Sequence, residues 1–411
     1  MKNFLFLLPV FLILGCRPES LHLARNRSET GSGDRSRHTV DPEIPPASYP
    51  DTLVYVSAVE FPEDYDWQRD SAYGKVPCQL SLFLGGERIL SIPAGPGSGS
   101  GISPDADRMR IREGHLYTDN LDGTETVIRR DGEELFRYPG RESLRGFLLV
   151  GGKVHTLGQN LDGDGFAYRI DGRPILQKDE GILVGTEDHP AFEGGALYVS
   201  SGKVCFSYTR ETTLSREIIL VEDGRATRSE PCPEALWVHD QRLLDGVLYR
   251  VEKRSAAEKD PTLVMDGQSL HPDFWYRGDS RKCLIFPSED GAVVLGFSRP
   301  KGLDVPYIWI RGSGVPVARR TDVTMLLYEK GTVAYMAPGV AVVGEKQISF
   351  PGKLRLYSRK CASLLDGKLY LALTGDPNRL ISDGKECDIP IHGFLTGVRV
   401  EVPEKSVSLS P

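Results

Sequence analysis

The chain has 411 residues, with 50 basic and 57 acidic side chains and a formal net charge of −7. An apolar share of 40% is too high for disorder over most of the length and supplies a sizeable core. With no basic excess to displace counterions, binding to nucleic acid or to an anionic membrane by charge alone is excluded. Glycine (44) and proline (28) exceed their usual shares of about 7% and about 5%, which points to many tight turns between short strands.

Met1-Lys2-Asn3 carries one positive charge and precedes an apolar run from Phe4 to Leu14. Eleven helical residues reach only ~16 Å, about half of a ~30 Å hydrocarbon core, so the run predicts a signal-peptide segment and not a membrane span. It ends in Ile13-Leu14-Gly15-Cys16, an aliphatic residue three before and a small residue directly before a cysteine. This pattern resembles the lipobox of bacterial lipoproteins, although Leu14 stands where a smaller residue is common. The resemblance implies removal of residues 1–15, lipidation of Cys16, and a place in the bacterial cell envelope, on the outer membrane, with the lipid as the sole membrane attachment. Residues 16–50 combine Arg-Ser-Glu-Thr-Gly-Ser-Gly-Asp-Arg-Ser-Arg (27–37) with Pro42, Pro45, Pro46 and Pro50. So little apolar surface cannot offset ordering entropy, and a disordered tether is expected.

From residue 51 to about 403 one unit recurs. A glycine precedes a short strand at Gly114, Gly152, Gly202, Gly246, Gly291, Gly331 and Gly367, and some 20 residues later a second glycine separates two more strands. The second set runs Gly86, Asp131-Gly132, Asp171-Gly172, Asp223-Gly224, Asp266-Gly267, Gly312, Gly344 and Asp383-Gly384. Asp-Gly between alternating apolar runs signals a type I′ hairpin, which needs positive φ at both central residues. The helical period is absent, so the body is predicted to be all-β.

Four-stranded units of roughly 44 residues resemble the blades of a β-propeller. Eight second-type turns but only seven first-type turns predict eight blades; the first blade lacks its inner strand, which the segment 393–401 would supply, closing the ring. Seven blades is the alternative, if the seventh unit, only about 30 residues long, merges with a neighbour. Residues 404–411 read as a tail.

Tight turns on one face leave the long connections on the other, and long loops on a rigid scaffold are where function usually sits. Two aromatic groups fall there: Tyr65, Trp67 and Tyr73 among Glu63, Asp64 and Asp66, and Trp275 and Tyr276 beside Phe274. Rings next to carboxylates suit a sugar or a protein hot spot, and the competing reading is that they plug gaps between blades. Asn160, Asp162 and Asp164 have the alternation a Ca²⁺ ion uses, without the later glutamate of an EF-hand. Calcium at these three positions is the one cofactor suggested.

Six cysteines besides Cys16 show no paired spacing, and buried thiols are expected. His155 reads as a core imidazole. Gly97-Ser-Gly-Ser-Gly101 has its glycines out of phase with a dinucleotide loop, and no nucleophile elbow or zinc motif occurs. The sequence therefore predicts a lipid-anchored binding or scaffolding module for a glycan or an envelope protein. A carbohydrate-active hydrolase or lyase using loop carboxylates such as Asp66, Asp162, Glu258, Asp260 and Asp304 is the alternative.

Overall fold

The computed structural model describes residues 52–69, 73–185, 194–211, 215–232, 237–253, 262–270, 284–288, 291–298, 305–310, 313–316 and 322–403. They belong to a unit that begins at Pro50. They form eight antiparallel sheets, six of them meanders in which neighbours in sequence are neighbours in the sheet. In chain order, sheets 1 to 8 take residues 53–94, 109–139, 142–178, 182–232, 237–270, 284–316, 325–349 and 362–389. The body is thus all-β and propeller-like, and the short unit 325–349 is a separate four-stranded sheet.

Sheet 1 has a fourth strand from the far end of the chain. Gly393–Glu401 runs antiparallel to Leu53–Glu60, with Leu53 opposite Glu401 and Glu60 opposite Gly393. Sheet 4 departs from the four-strand expectation. Its innermost position is shared by two short strands, Ile182–Val184 and Tyr198–Ser200, which both pair with Lys203–Glu211.

The turns explain why these residues form hairpins. Asp131, Asp171, Asp223, Asp266 and Asp383 all lie at φ between 45° and 53°, and each following glycine is also left-handed. Only short polar residues and glycine tolerate this conformation cheaply. The aspartate also has a second task. Its carboxylate accepts the backbone N–H of a residue on the neighbouring strand: Leu116 for Asp131 (2.9 Å), Val154 for Asp171 (2.8 Å), Val204 for Asp223 (2.9 Å) and Leu248 for Asp266 (3.0 Å).

Apolar faces of adjacent sheets share their cores. Leu80 and Ile92 of sheet 1 pack with Met109 and Leu116 of sheet 2, Phe166 and Tyr168 of sheet 3 with Phe206 of sheet 4, and Met336 of sheet 7 with Leu371 of sheet 8. Val56 and Ala58 of sheet 1 pack likewise with Tyr370 and Ala372 of sheet 8.

Charged side chains reinforce these contacts by bonding to backbone groups far along the chain. Arg242 donates to the Gly195 carbonyl (2.9 Å), Asp240 accepts the Ile285 N–H (3.1 Å), and Lys360 donates to the Asp107 carbonyl (2.7 Å). Arg242 is fully buried, paired with Asp240 at 2.8 Å and set over the Tyr198 ring. A second buried pair, Arg169–Glu142, is bidentate at 2.7 Å. Gly158 makes room for it, because a Cβ there would lie 2.0 Å from Glu142 Oε2. Among the described residues no helix is long and apolar enough to cross a membrane.

Candidate functional site

In several sheets the innermost strand ends in a left-handed turn, as at Glu113-Gly114, Asp245-Gly246, Lys330-Gly331 and Asp366-Gly367. These turns and the strand ends beside them wall a cavity of about 1290 Å³, to which seven of the eight sheets contribute. An adjoining cavity of about 470 Å³ shares Leu149, Asp245 and Pro287 with it and adds Tyr198–Ser201 of sheet 4. The smaller space falls within the roughly 300–1,000 Å³ usual for small-molecule pockets, and the larger exceeds it. The cavity opens on the face of the tight turns, opposite the long connections that sequence reasoning favoured.

The lining mixes aliphatic edges with charges of both signs. Leu53, Leu149, Leu364 and Val402 supply apolar surface, and Val402 is 57% exposed. Lys330 is held by Asp366 at 2.8 Å, and Arg399 lies 3.8 Å from Glu401. Glu113 and Asp245 are exposed at the rim and form no ion pair with a described residue. Glu329 is half-buried, and its Oε2 is shielded from water without a hydrogen-bond partner among the described residues. Burial, with a further contribution from Asp366, holds its carboxyl above the ordinary range. Tyr328 and Ser288 share a hydrogen bond of 3.3 Å across sheets 7 and 6. Such a lining can grip an extended or looped partner through both apolar and ionic contact.

On the opposite face the structure places Tyr65 and Trp67 in a packed plug. The Phe61 N–H donates to the His392 carbonyl (2.8 Å), and His392 Nε2 contacts the Tyr65 carbonyl (2.7 Å), so the loop is tied down from the C-terminal side. Trp67 is 8% exposed, its ring 5.7 Å from that of Phe394, which stacks in turn on Tyr357 at 3.9 Å. The indole expected at the surface is therefore spent on packing. Tyr65 packs 5.2 Å from Phe61 and stays half-buried. Tyr73 begins a short 3-10 turn, Tyr73–Lys75, and its side chain lies outside the described residues, as do Trp275, Tyr276 and Cys16.

Asn160, Asp162 and Asp164 are all exposed. Asn160 Oδ1 accepts the Asp162 N–H (2.9 Å), and Asp162 pairs with Arg141 (3.1 Å), so two of the three side chains are engaged within the loop region itself. Among the described residues no three His, Cys, Asp or Glu side chains converge to hold a metal. Asp66 pairs with Arg69 at 3.3 Å, and Glu258, Asp260 and Asp304 lie outside the described residues. His155 is buried, bonded to the Tyr168 hydroxyl at 2.7 Å, and desolvation lowers its pKa. Cys78, Cys205, Cys232 and Cys361 are buried, whereas Cys387 is exposed.

The cavity residues were missed because they belong to no motif. One signal was available: the residue before the first-type glycine is charged in five of seven units (Glu113, Asp245, Asp290, Lys330 and Asp366).

No family model matches the chain, and no curated protein matches it. Solved structures of similar overall shape include the β-propeller domain of the Trilobed protease from Pyrococcus furiosus, at 11% identity and TM-score 0.43, over 69% of this chain and 94% of that one. The dihydro-heme d1 dehydrogenase NirN aligns at 10% identity and TM-score 0.49, over 89% of this chain and 77% of that one. A polysaccharide lyase aligns at 10% identity and TM-score 0.39, over 71% and 88%. At this level of likeness none of them assigns an activity to this chain.

Proposed function

We propose that this chain is a lipid-anchored cell-envelope propeller of eight blades, closed by its C-terminal strand, that binds or scaffolds an envelope protein at its central cavity. The observation that carries the reading is the cavity itself. Every sheet contributes to it, directly or through the adjoining space, and its lining joins aliphatic edges to Glu113, Asp245 and Glu329. The Ile13–Cys16 pattern and the tether-like composition of residues 16–50 support the anchored placement. A protein suits the lining better than a glycan. Sugar recognition calls for a presented aromatic face, and the rings on the lining, Tyr55 and Tyr328, are both buried.

The test is capture from solubilised envelopes with Cys16→Ser protein, alongside Val402→Arg and Asp245→Arg, two exposed lining positions. Saturable capture of one envelope protein, weakened at least about tenfold by both substitutions at unchanged melting temperature, supports the reading. Capture indifferent to both would move the site elsewhere. Product release from a bound polysaccharide would replace binding with the hydrolase or lyase reading.

A further inference from the structure

The connection between sheets 1 and 2 holds Gly95-Pro-Gly-Ser-Gly-Ser-Gly101, in which Gly95, Gly97, Gly99 and Gly101 lie at φ of +79°, +78°, +73° and +65°. The residues between them are not left-handed. Alternation of hand along a chain turns backbone N–H groups into a concavity that accepts anions. The loop is pinned at its ends, where the Gly95 N–H donates to the Ile102 carbonyl (2.8 Å). Within it, the Ser98 N–H donates to the Gly95 carbonyl (3.3 Å) and the Ser100 N–H to Ser98 Oγ (3.3 Å). The N–H groups of Gly97, Gly99 and Gly101 have no acceptor among the described residues.

A second feature lies beneath the loop. Arg129 is 7% exposed, yet its side chain makes no hydrogen bond or ion pair with any described residue, and its Nη1 is shielded from water without a partner. Its guanidinium points at the glycine loop: a Cβ on Gly101 would stand 3.6 Å from Arg129 Nη2. Thr118, opposite Arg129 on the neighbouring strand, and Asn120 are buried beside it, and Asn120 Oδ1 fixes the loop by accepting the Ser103 N–H (2.7 Å). Glu134 and Asp122 are the nearest acidic influences, and Arg137 engages both, at 2.8 Å and 2.9 Å. A buried guanidinium without a counter-ion is strongly destabilising, so its retention calls for a compensating anion.

We propose that the 95–101 loop and Arg129 form a binding site for a tetrahedral oxyanion, a phosphate or sulfate group, held by the three glycine N–H groups and the guanidinium. The site is separate from the central cavity and stands without the function proposed for it. Three donors at alternate residues of one loop and a planar fork suit an anion with three available oxygens better than a single carboxylate.

The experiment titrates full-length Cys16→Ser protein with inorganic phosphate, inorganic sulfate and methyl phosphate, by calorimetry and by melting at ionic strength matched with chloride. The expected result is saturable heat and a chloride-corrected rise in melting temperature. Arg129→Met should weaken binding at least tenfold while melting no lower than the parent in the absence of oxyanion, because it removes an uncompensated buried charge. Gly99→Ala, forced into a left-handed conformation, should also bind more weakly. Methyl phosphate binding as well as inorganic phosphate assigns the site to an ester, and preference for the inorganic ion assigns it to the free anion; either supports the site. Equal binding by Arg129→Met, or no saturable response up to about 20 mM of any of the three, overturns it.

Discussion

Replacing Phe394 by alanine tests whether the C-terminal strand is an integral part of the body. Phe394 is fully buried, and its ring meets those of Tyr357 (3.9 Å, stacked), Trp67 (5.7 Å) and Phe61 (5.9 Å). A core Phe→Ala change costs about 3–5 kcal/mol, and each ring pair adds about 0.5–1.5 kcal/mol beyond area burial. Three such pairs place the loss at the upper end, about 5 kcal/mol. A body of roughly 350 residues unfolds with about 0.7 kcal/mol/K of entropy, so the melting temperature should fall by about 7 °C. Denaturant unfolding followed by tryptophan fluorescence checks this, with a lower midpoint and an unchanged slope expected. In a double-mutant cycle with Trp67→Ala, the coupling should be about 0.5–1.5 kcal/mol. A loss under about 1.5 kcal/mol for Phe394→Ala would refute the reasoning, since the last strand would then be an ornament on a body that stands without it.

Glu142→Gln should destabilise by about 3–5 kcal/mol in chemical denaturation, because it leaves Arg169 buried without its anion, whereas Glu142→Met with Arg169→Met should come close to the parent. In native Cys16→Ser protein, Cys387 should react readily with a thiol reagent. Cys78, pushed up to about 11 by burial, and Cys205, pushed up to about 12, should react only after unfolding, as mass spectrometry would reveal. The Glu329 carboxyl sits above its ordinary range, so its contribution to stability is greatest in acid and is lost as pH rises through the folded-state value. Glu329→Gln should therefore melt higher than the parent near pH 8, with the gap closing towards about pH 4. A calcium titration should give little heat at residues 160–164, where Asn160 and Asp162 are engaged by the loop and by Arg141. Heat that disappears in Asp164→Asn would show that the ion displaces those contacts.

What the sequence disclosed was local. Asp131-Gly132 and its counterparts announce hairpins because a left-handed pair admits few residues, and regular spacing of such pairs yields the sheets in order. What it withheld depends on distant partners. Trp67 stands among acidic residues and reads as exposed; the ring that covers it, Phe394, comes from the other end of the chain. Arg129 sits in an Ile-Arg-Arg run that reads as solvent-facing, but an irregularity between Ile128 and Arg129 breaks the alternation and leaves this arginine inside. The divided inner strand of sheet 4 left no composition signal, because Ile182–Val184 and Tyr198–Ser200 read as separate strands with nothing to say that both flank one partner. The cavity emerges only when strand ends from seven sheets meet.

Leu53, where the first strand begins, and Pro403, just past the last, stand on the wall of the same cavity. Chain leading in and chain leading out therefore depart from one rim. A bulky fusion joined close to Leu53 or Pro403 would crowd the doorway. Fluorophores or immobilisation tags meant to leave the mouth clear belong on the far side, among the long connections.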